Sequence, residues 1–357
     1  MLNIKELLDF CIEREASDIH LTVGVPPILR IDGNLKRMGQ YESLISSETE
    51  ALAYELFDEQ HKKIFEKDGE VDFSHSIESA GRFRINVYRQ RGSIGIALRF
   101  VAPGVPTIDD LGLPQSLKKL ALRPRGLVLV TGQTGSGKST TLAAMIKHIN
   151  KNRNAHIITL EDPIEYLHEH GMSVVNQREI GHDTKSYGKA LRAALRQDPD
   201  VILIGEMRDL ETISTAVTAA ETGHLVLSTL HTIGAVHTIN RIIDVFPVAQ
   251  QQQIRIQLST VLEGVISQQL VRRDSEKGGR VAALEIMLCN SAIKNYIRDA
   301  KTHQIMSSIQ TGRKAGMISM DTYLAALYRK KLISHKNALA YCVNPDTFEE
   351  TIKNYDR

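Results

Sequence analysis

No stretch of this 357-residue sequence approaches 18 consecutive apolar residues, so nothing in it reads as a membrane span. Its opening, MLNIKELLDFCIEREASD, is acidic and amphipathic rather than a basic segment followed by an apolar core, which argues against a signal peptide. Cysteine is scarce. Cys11, Cys289 and Cys342 stand far apart with no C-x-x-C pair, which disfavours a disulfide framework and a four-cysteine zinc site. An excess of one charge is also missing: 44 basic residues face 42 acidic ones, a formal net charge of +2, so nothing sequence-wide points to nucleic acid as a partner. There is no internal repeat and no low-complexity tract. With 42% hydrophobic residues over this length, the chain can build two or three domains with their own cores, and a cytoplasmic protein fits these absences best.

What is present divides at Val101 to Pro114, where three prolines and two glycines separate patterned regions and suggest a hinge. Residues 1–100 read as an α+β domain. Leu2 to Glu15 has the pattern of an amphipathic helix, Asp18 to Val23 and Ile28 to Ile31 of strands, Asp32-Gly33-Asn34 of a turn, and Ser47 with Glu50 of a helix-opening capping box. Two strands then alternate cleanly. Phe83, Ile85 and Val87 oppose Arg82, Arg84 and Asn86, while Ile94, Ile96 and Leu98 oppose Gly95, Ala97 and Arg99, as in a sheet with one open face. Over 115–250 the pattern becomes short buried strands separated by helices: Leu127 to Thr131, Ile157 to Leu160, Val201 to Ile204 and Leu225 to Ser228, a mostly parallel α/β sheet. From about Gln250, over 251–357, the periodicity is helical almost throughout, for example at Ala292 to Ala300 and Thr322 to Tyr328.

The most specific signal is Gly132-Gln133-Thr134-Gly135-Ser136-Gly137-Lys138-Ser139, followed by Thr140, which matches G-x-x-x-x-G-K-[ST] between an apolar strand and the helix Thr141 to Asn150. In that setting the glycines turn backbone N–H groups toward phosphates, and the helix N-terminus adds partial positive charge. Lys138 is expected on the β- and γ-phosphates and Ser139 on Mg²⁺. The chain therefore binds a nucleoside triphosphate.

Ligands of an open parallel sheet bind beyond the carboxyl ends of its strands. There HIITL runs into Glu161-Asp162-Pro163-Ile164-Glu165, VILIG ends in Glu206, and HLVLSTLHT is bracketed by His224 and His231. An acid at the position of Glu206 orients Mg²⁺ and its waters or activates the attacking water. Which of Glu161 and Glu165 points inward is not decided by the residues alone.

Together GQTGSGKST, ITLEDPIEY, RQDPDVILIGEMRDLETI and TAAETGHLVLSTLHT resemble the secretion and type IV pilus motor ATPases over nearly the whole chain, down to the unusual Gly205 before Glu206. SDIHLTVGVPPILRIDGNL and AIKNYIRDAKTHQIMSSIQTGRKAGMISMD look like the pilus retraction (PilT-type) branch; AIKNYIRD differs from the AIRNLIRE typical of that branch. The resemblance implies a PAS-like N-terminal α+β domain and a RecA-like P-loop ATPase core with a helical C-terminal cap. It implies ATP and Mg²⁺ as ligands, with Gly132 to Thr140 on the nucleotide and Glu206 holding Mg²⁺ through water. Glu206 leads catalysis and Glu165 assists. His224 and His231 sense the γ-phosphate or communicate between subunits, and Arg82, Arg84 and Arg99 are candidates to reach the γ-phosphate on domain closure. A homohexamer is implied, working on an inner-membrane pilus platform protein, with a paralogous motor ATPase as a further partner. A PilU-like accessory subunit and a VirB11-type secretion ATPase are the alternatives.

Overall fold

A computed structural model of the chain describes residues 3–14, 16–31, 34–77, 81–101, 104–274 and 278–355. Asp32 and Gly33 of the expected turn, and 102 and 103 of the expected linker, lie outside them. The chain forms two compact units, one of Met1–Gly104 with Glu165–Leu167, the other of Val105–Ile164 with His168–Arg357.

The first unit carries six strands: β1 (Asp18–Leu21), β2 (Ile28–Ile31), β3 (Asn34–Arg37), β4 (Glu70–Ile77), β5 (Gly81–Gln90) and β6 (Ser93–Val101). They pair antiparallel in the order β3-β2-β1-β6-β5-β4. The alternation foreseen in β5 is present. Phe83, Ile85 and Val87 are buried, and Arg82, Arg84 and Asn86 are partly exposed. Helices Ile4–Glu13, Ser46–Leu56 and Glu59–Asp68 complete the α+β domain, and their apolar residues join the same core. One local expectation is corrected. The second helix is capped by Ile45, not Ser47, because the Glu48 carboxylate accepts the Ile45 N–H at 2.9 Å; Ile45 has no side-chain acceptor to return the bond, so only half of a capping box forms.

The second unit contains β7 (Gly126–Thr131), β8 (His156–Glu161), β9 (Val174–Glu179), β10 (Val201–Ile204), β11 (Leu225–Leu230), β12 (Leu262–Arg272) and β13 (Arg280–Leu288). Their order is β13-β12-β7-β11-β10-β8-β9, parallel except for β13. Successive residues enter cores on opposite faces. Leu127 and Leu129 pack with Ile158, Ile202 and Val226, whereas Val128 and Val130 pack with Ile157, Val201 and Leu225. A sheet covered on both sides buries every residue of β7, β10 and β11, hence the unbroken apolar runs.

The reading of 251–357 as helical is corrected for the antiparallel pair β12 and β13, which extends the sheet beside β7. β12 is buried at most positions on both faces, which removes the period-2 signal of a half-exposed strand. Helices resume at Ser291–Arg298 and continue through Met320–Arg329, His335–Tyr341 and Pro345–Tyr355, so the cap is helical from there.

Candidate active site

Because β7, β8, β10 and β11 run parallel, their carboxyl ends share one edge of the sheet. Beyond β7 lies the loop 132–137, beyond β8 the acidic segment, beyond β10 Gly205-Glu206, and beyond β11 His231.

The helix Lys138–Asn152 begins directly at the loop, and no side chain caps its N-terminus. Its first N–H groups and its dipole therefore suit an anion. The turn into it is left-handed at Gly135 (φ 78°) and Gly137 (φ 86°), a conformation glycine adopts without penalty. Lys138 is buried, and its Nζ donates to the carbonyls of Gly132 (2.9 Å) and Gln133 (3.0 Å), which folds the ammonium back over the loop. Ser139 is exposed and Thr140 partly so, both in the first helical turn.

Glu206 is held from two sides. Arg208 Nε lies 2.5 Å from Oε1 and His231 Nε2 lies 3.1 Å from Oε2, with the carboxylate only 16% exposed. The structure thus brings Glu206 and His231 together and adds Arg208, which sequence reasoning passed over although it stands two residues along in GEMRD. The Glu161 carboxylate accepts from Thr159 Oγ1 (2.6 Å) and Gln177 Nε2 (3.0 Å) at the end of β8. Glu165 is exposed and has no hydrogen-bond partner among the described residues.

Gly205 has a steric reason. A methyl group there would stand 2.7 Å from the Tyr187 hydroxyl and 3.2 Å from the Leu160 carbonyl. Burial pushes the Tyr187 phenol far above its ordinary range, and the nearby charges of Asp162, Glu206 and Glu161 add to the shift. Tyr187 sits in a helix Tyr187–Ala194 that carries no motif, so only the fold reveals it.

The other candidates make local contacts of their own. His224 precedes β11, at the amino edge of the sheet, seven residues or ~23 Å of extended chain from His231. Its Nδ1 meets the Ala219 carbonyl (2.9 Å) and Thr222 Oγ1 (3.2 Å), closing the helix Leu210–Glu221. That placement sets it at the edge of the sheet opposite the phosphate loop. In the first unit, Arg84 forms a two-pronged pair with Asp72 (2.6 and 3.2 Å). Arg99 meets Asp18 at 2.9 Å across β6 and β1. Burial works to raise Asp18, but hydrogen bonds from Ser17 and Arg99 outweigh it and hold the carboxyl below its ordinary range. Arg82 lies on the same partly exposed face of β5.

For a divalent cation, no group of three His, Cys, Asp or Glu side chains among the described residues forms a cage. The hydroxyl of Ser139 and the carboxylate of Glu206 are hard oxygen donors. They fit Mg²⁺, which keeps waters and takes substrate phosphates rather than an all-protein shell. Among the described residues no helix is long and apolar enough to cross a membrane.

A family model described as type II/IV secretion system protein matches residues 2–331. The chain is 47% identical over 347 residues to the type IV pilus retraction ATPase PilT of Pseudomonas aeruginosa, covering 97% of this chain and 100% of that one. It is 44% identical over 321 residues to a twitching motility protein of Neisseria gonorrhoeae, covering 90% and 85%. A crystal structure of the pilus retraction motor PilT with bound ADP superposes with a TM-score of 0.93 at 49% identity, covering 98% of this chain and 100% of that one.

Proposed function

The chain belongs to the type II/IV secretion system protein family, and on that premise we propose that it is the ATP-hydrolysing motor that powers retraction of a type IV pilus. It is an ATPase, and nucleotide use is supported by the ADP-bound relative whose fold it shares from end to end. The observation that carries the reading is the single sheet edge holding the phosphate loop, Glu206 and His231.

In this reading the backbone N–H groups of 132–138 and the helix N-terminus bind the β- and γ-phosphates, and Lys138 turns from the loop carbonyls to the phosphate oxygens. Ser139 and, through water, Glu206 would hold Mg²⁺, which would neutralise phosphate charge. Glu206, fixed by Arg208 and His231, orients the attacking water. As that water's oxygen bonds to the γ-phosphorus, the bond to the β–γ bridging oxygen breaks, and ADP, phosphate and a proton leave. Glu165 ordering the site, His224 acting between subunits, and Arg82, Arg84 or Arg99 reaching a γ-phosphate by movement about 101–114 belong to the same proposal. For the last, Arg84 must first leave Asp72, or Arg99 must leave Asp18. The Arg84–Asp72 pair is exposed and worth at most ~1 kcal/mol, a small barrier to exchange, whereas Asp18 is buried and would be left with Arg30 as its cationic partner. The working form is a cytoplasmic homohexamer that acts on a platform protein in the inner membrane, with a paralogous ATPase as an additional partner.

The test is pilus number and twitching movement with and without the gene. A retraction motor gives excess pili and no movement on deletion, unrescued by Lys138→Ala. Loss of pili on deletion contradicts the direction of force, and unchanged movement contradicts the motor role.

A further inference from the structure

Strand β12 runs beside β7 with Ser267 opposite Thr131, so the next residue, Gln268, reaches past the end of β7 to where the phosphate loop begins. Its side chain is buried and bonded at both ends. Nε2 donates to the carbonyl of Ser136 inside the loop (2.7 Å), and Oε1 accepts from the Thr141 hydroxyl in the first turn of the following helix (2.7 Å). The amide orientation has only one consistent solution. A carbonyl oxygen can only accept, so nitrogen faces Ser136, and the remaining oxygen takes the hydroxyl proton of Thr141. Thr141 is itself buried, so neither bond competes with water.

The same residue explains two glycines of the motif. A methyl group on Gly132 would stand 2.2 Å from the backbone carbonyl oxygen of Gln268, and one on Gly137 would stand 2.8 Å from its side-chain Nε2. The loop is therefore packed directly on this strand residue, and its shape is set from outside the motif.

We infer that Gln268 is a positioning residue for nucleotide binding, a clamp that ties the carbonyl of Ser136 to Thr141 and so holds the loop amides in their phosphate-receiving arrangement. The inference rests on the reading of the loop as the ATP site. It acts on the ground state as well as on turnover, since the clamped amides serve ADP and ATP alike.

The experiment measures ADP affinity by calorimetry, with thermal melting alongside, for the full chain and for Gln268→Leu, Gln268→Glu and Thr141→Val. Leucine keeps the volume and removes both bonds; one lost buried bond on each side predicts ADP binding weakened by about tenfold or more. Glutamate keeps an acceptor for Thr141 but turns an oxygen toward the Ser136 carbonyl, and it should weaken binding comparably. Thr141→Val breaks the clamp from the other side; combined with Gln268→Leu it should add little, because the two act through one connection. ADP binding within twofold of wild type in a Gln268→Leu protein with an unchanged melting temperature overturns the inference, as do fully additive effects. Should Gln268→Leu fail to fold, Thr141→Val decides on the same measure. A wild-type chain that binds no ADP contradicts the functional reading instead.

Discussion

The two edges of the parallel sheet in the second unit differ sharply. At the carboxyl edge, side chains converge from four separate elements: Lys138 after β7, Glu161 at the end of β8, Glu206 and Arg208 after β10, and His231 after β11. At the amino edge the polar contacts are local fastenings. His224 closes its own preceding helix, and Asp200 takes the His156 N–H at 2.8 Å, tying the start of β8 to the start of β10. The two histidines that bracket β11 look equivalent in the sequence, yet one meets the Glu206 carboxylate and the other holds a helix end. The difference teaches that in a parallel sheet the direction of a strand decides what a polar residue at its end is for.

This contrast can be broken most readily at Lys138. Lys138→Ala should lower ATP turnover by a factor on the order of 10³, because the residue supplies the positive charge nearest the phosphates; steady-state phosphate release measures it. At Gly205 a smaller effect is expected. Gly205→Ala displaces the Tyr187 hydroxyl beside Glu206, and a misplacement of that size costs between about ten- and a hundredfold in kcat. Combining it with Tyr187→Phe removes the nearest clashing atom, so the double variant should be faster than Gly205→Ala alone; equal rates would discard the steric explanation.

The histidines sharpen the comparison next. His231→Ala should cost about tenfold in kcat, the equivalent of one hydrogen bond to a charged group, with stability nearly unchanged. His224→Ala should do the reverse in monomeric measurements, lowering unfolding free energy by about 1 kcal/mol while the kcat of isolated sites holds. Denaturant titration and kinetics on both variants check the pair. Smallest in its bearing on function is a pH effect at His168, in the segment that joins β8 to β9. Burial pushes its imidazole down to about 4, with the charge of Lys147 adding. Since the unfolded chain protonates near ~6.5 and the folded one resists, stability should be full above ~6.5 and fall as pH drops toward 4, by on the order of 3 kcal/mol. His168→Gln should flatten that fall.

Much of the carboxyl edge was legible. β7, β10 and β11 are fully buried and β8 is buried at all but its two ends, so they appear as apolar runs, and the loop motif sits where one of them meets a helix. β12 and β13 were not, because VISQQLV and RVAALEIML bury both faces around polar residues and mimic helical spacing. Gln268 escaped with them, since its contacts with Ser136 and Thr141 span 132 and 127 residues. Tyr187 escaped for a related reason: the glycine that accommodates it was noticed as unusual, but what fills the space above it is a property of the fold. In the first unit the alternation of β5 is plain from the residues, whereas the partners of Arg84 and Arg99 on neighbouring strands depend on register.

Glu206 stands at the centre of the carboxyl edge, held by Arg208 and His231. Comparing purified wild-type chain with Glu206→Gln, for both ATP binding and phosphate release, tests its proposed role directly. If Glu206 orients the attacking water, the variant should bind ATP within a few-fold of wild type and turn it over about a hundredfold or more slowly. Turnover by Glu206→Gln at the wild-type rate would contradict that role.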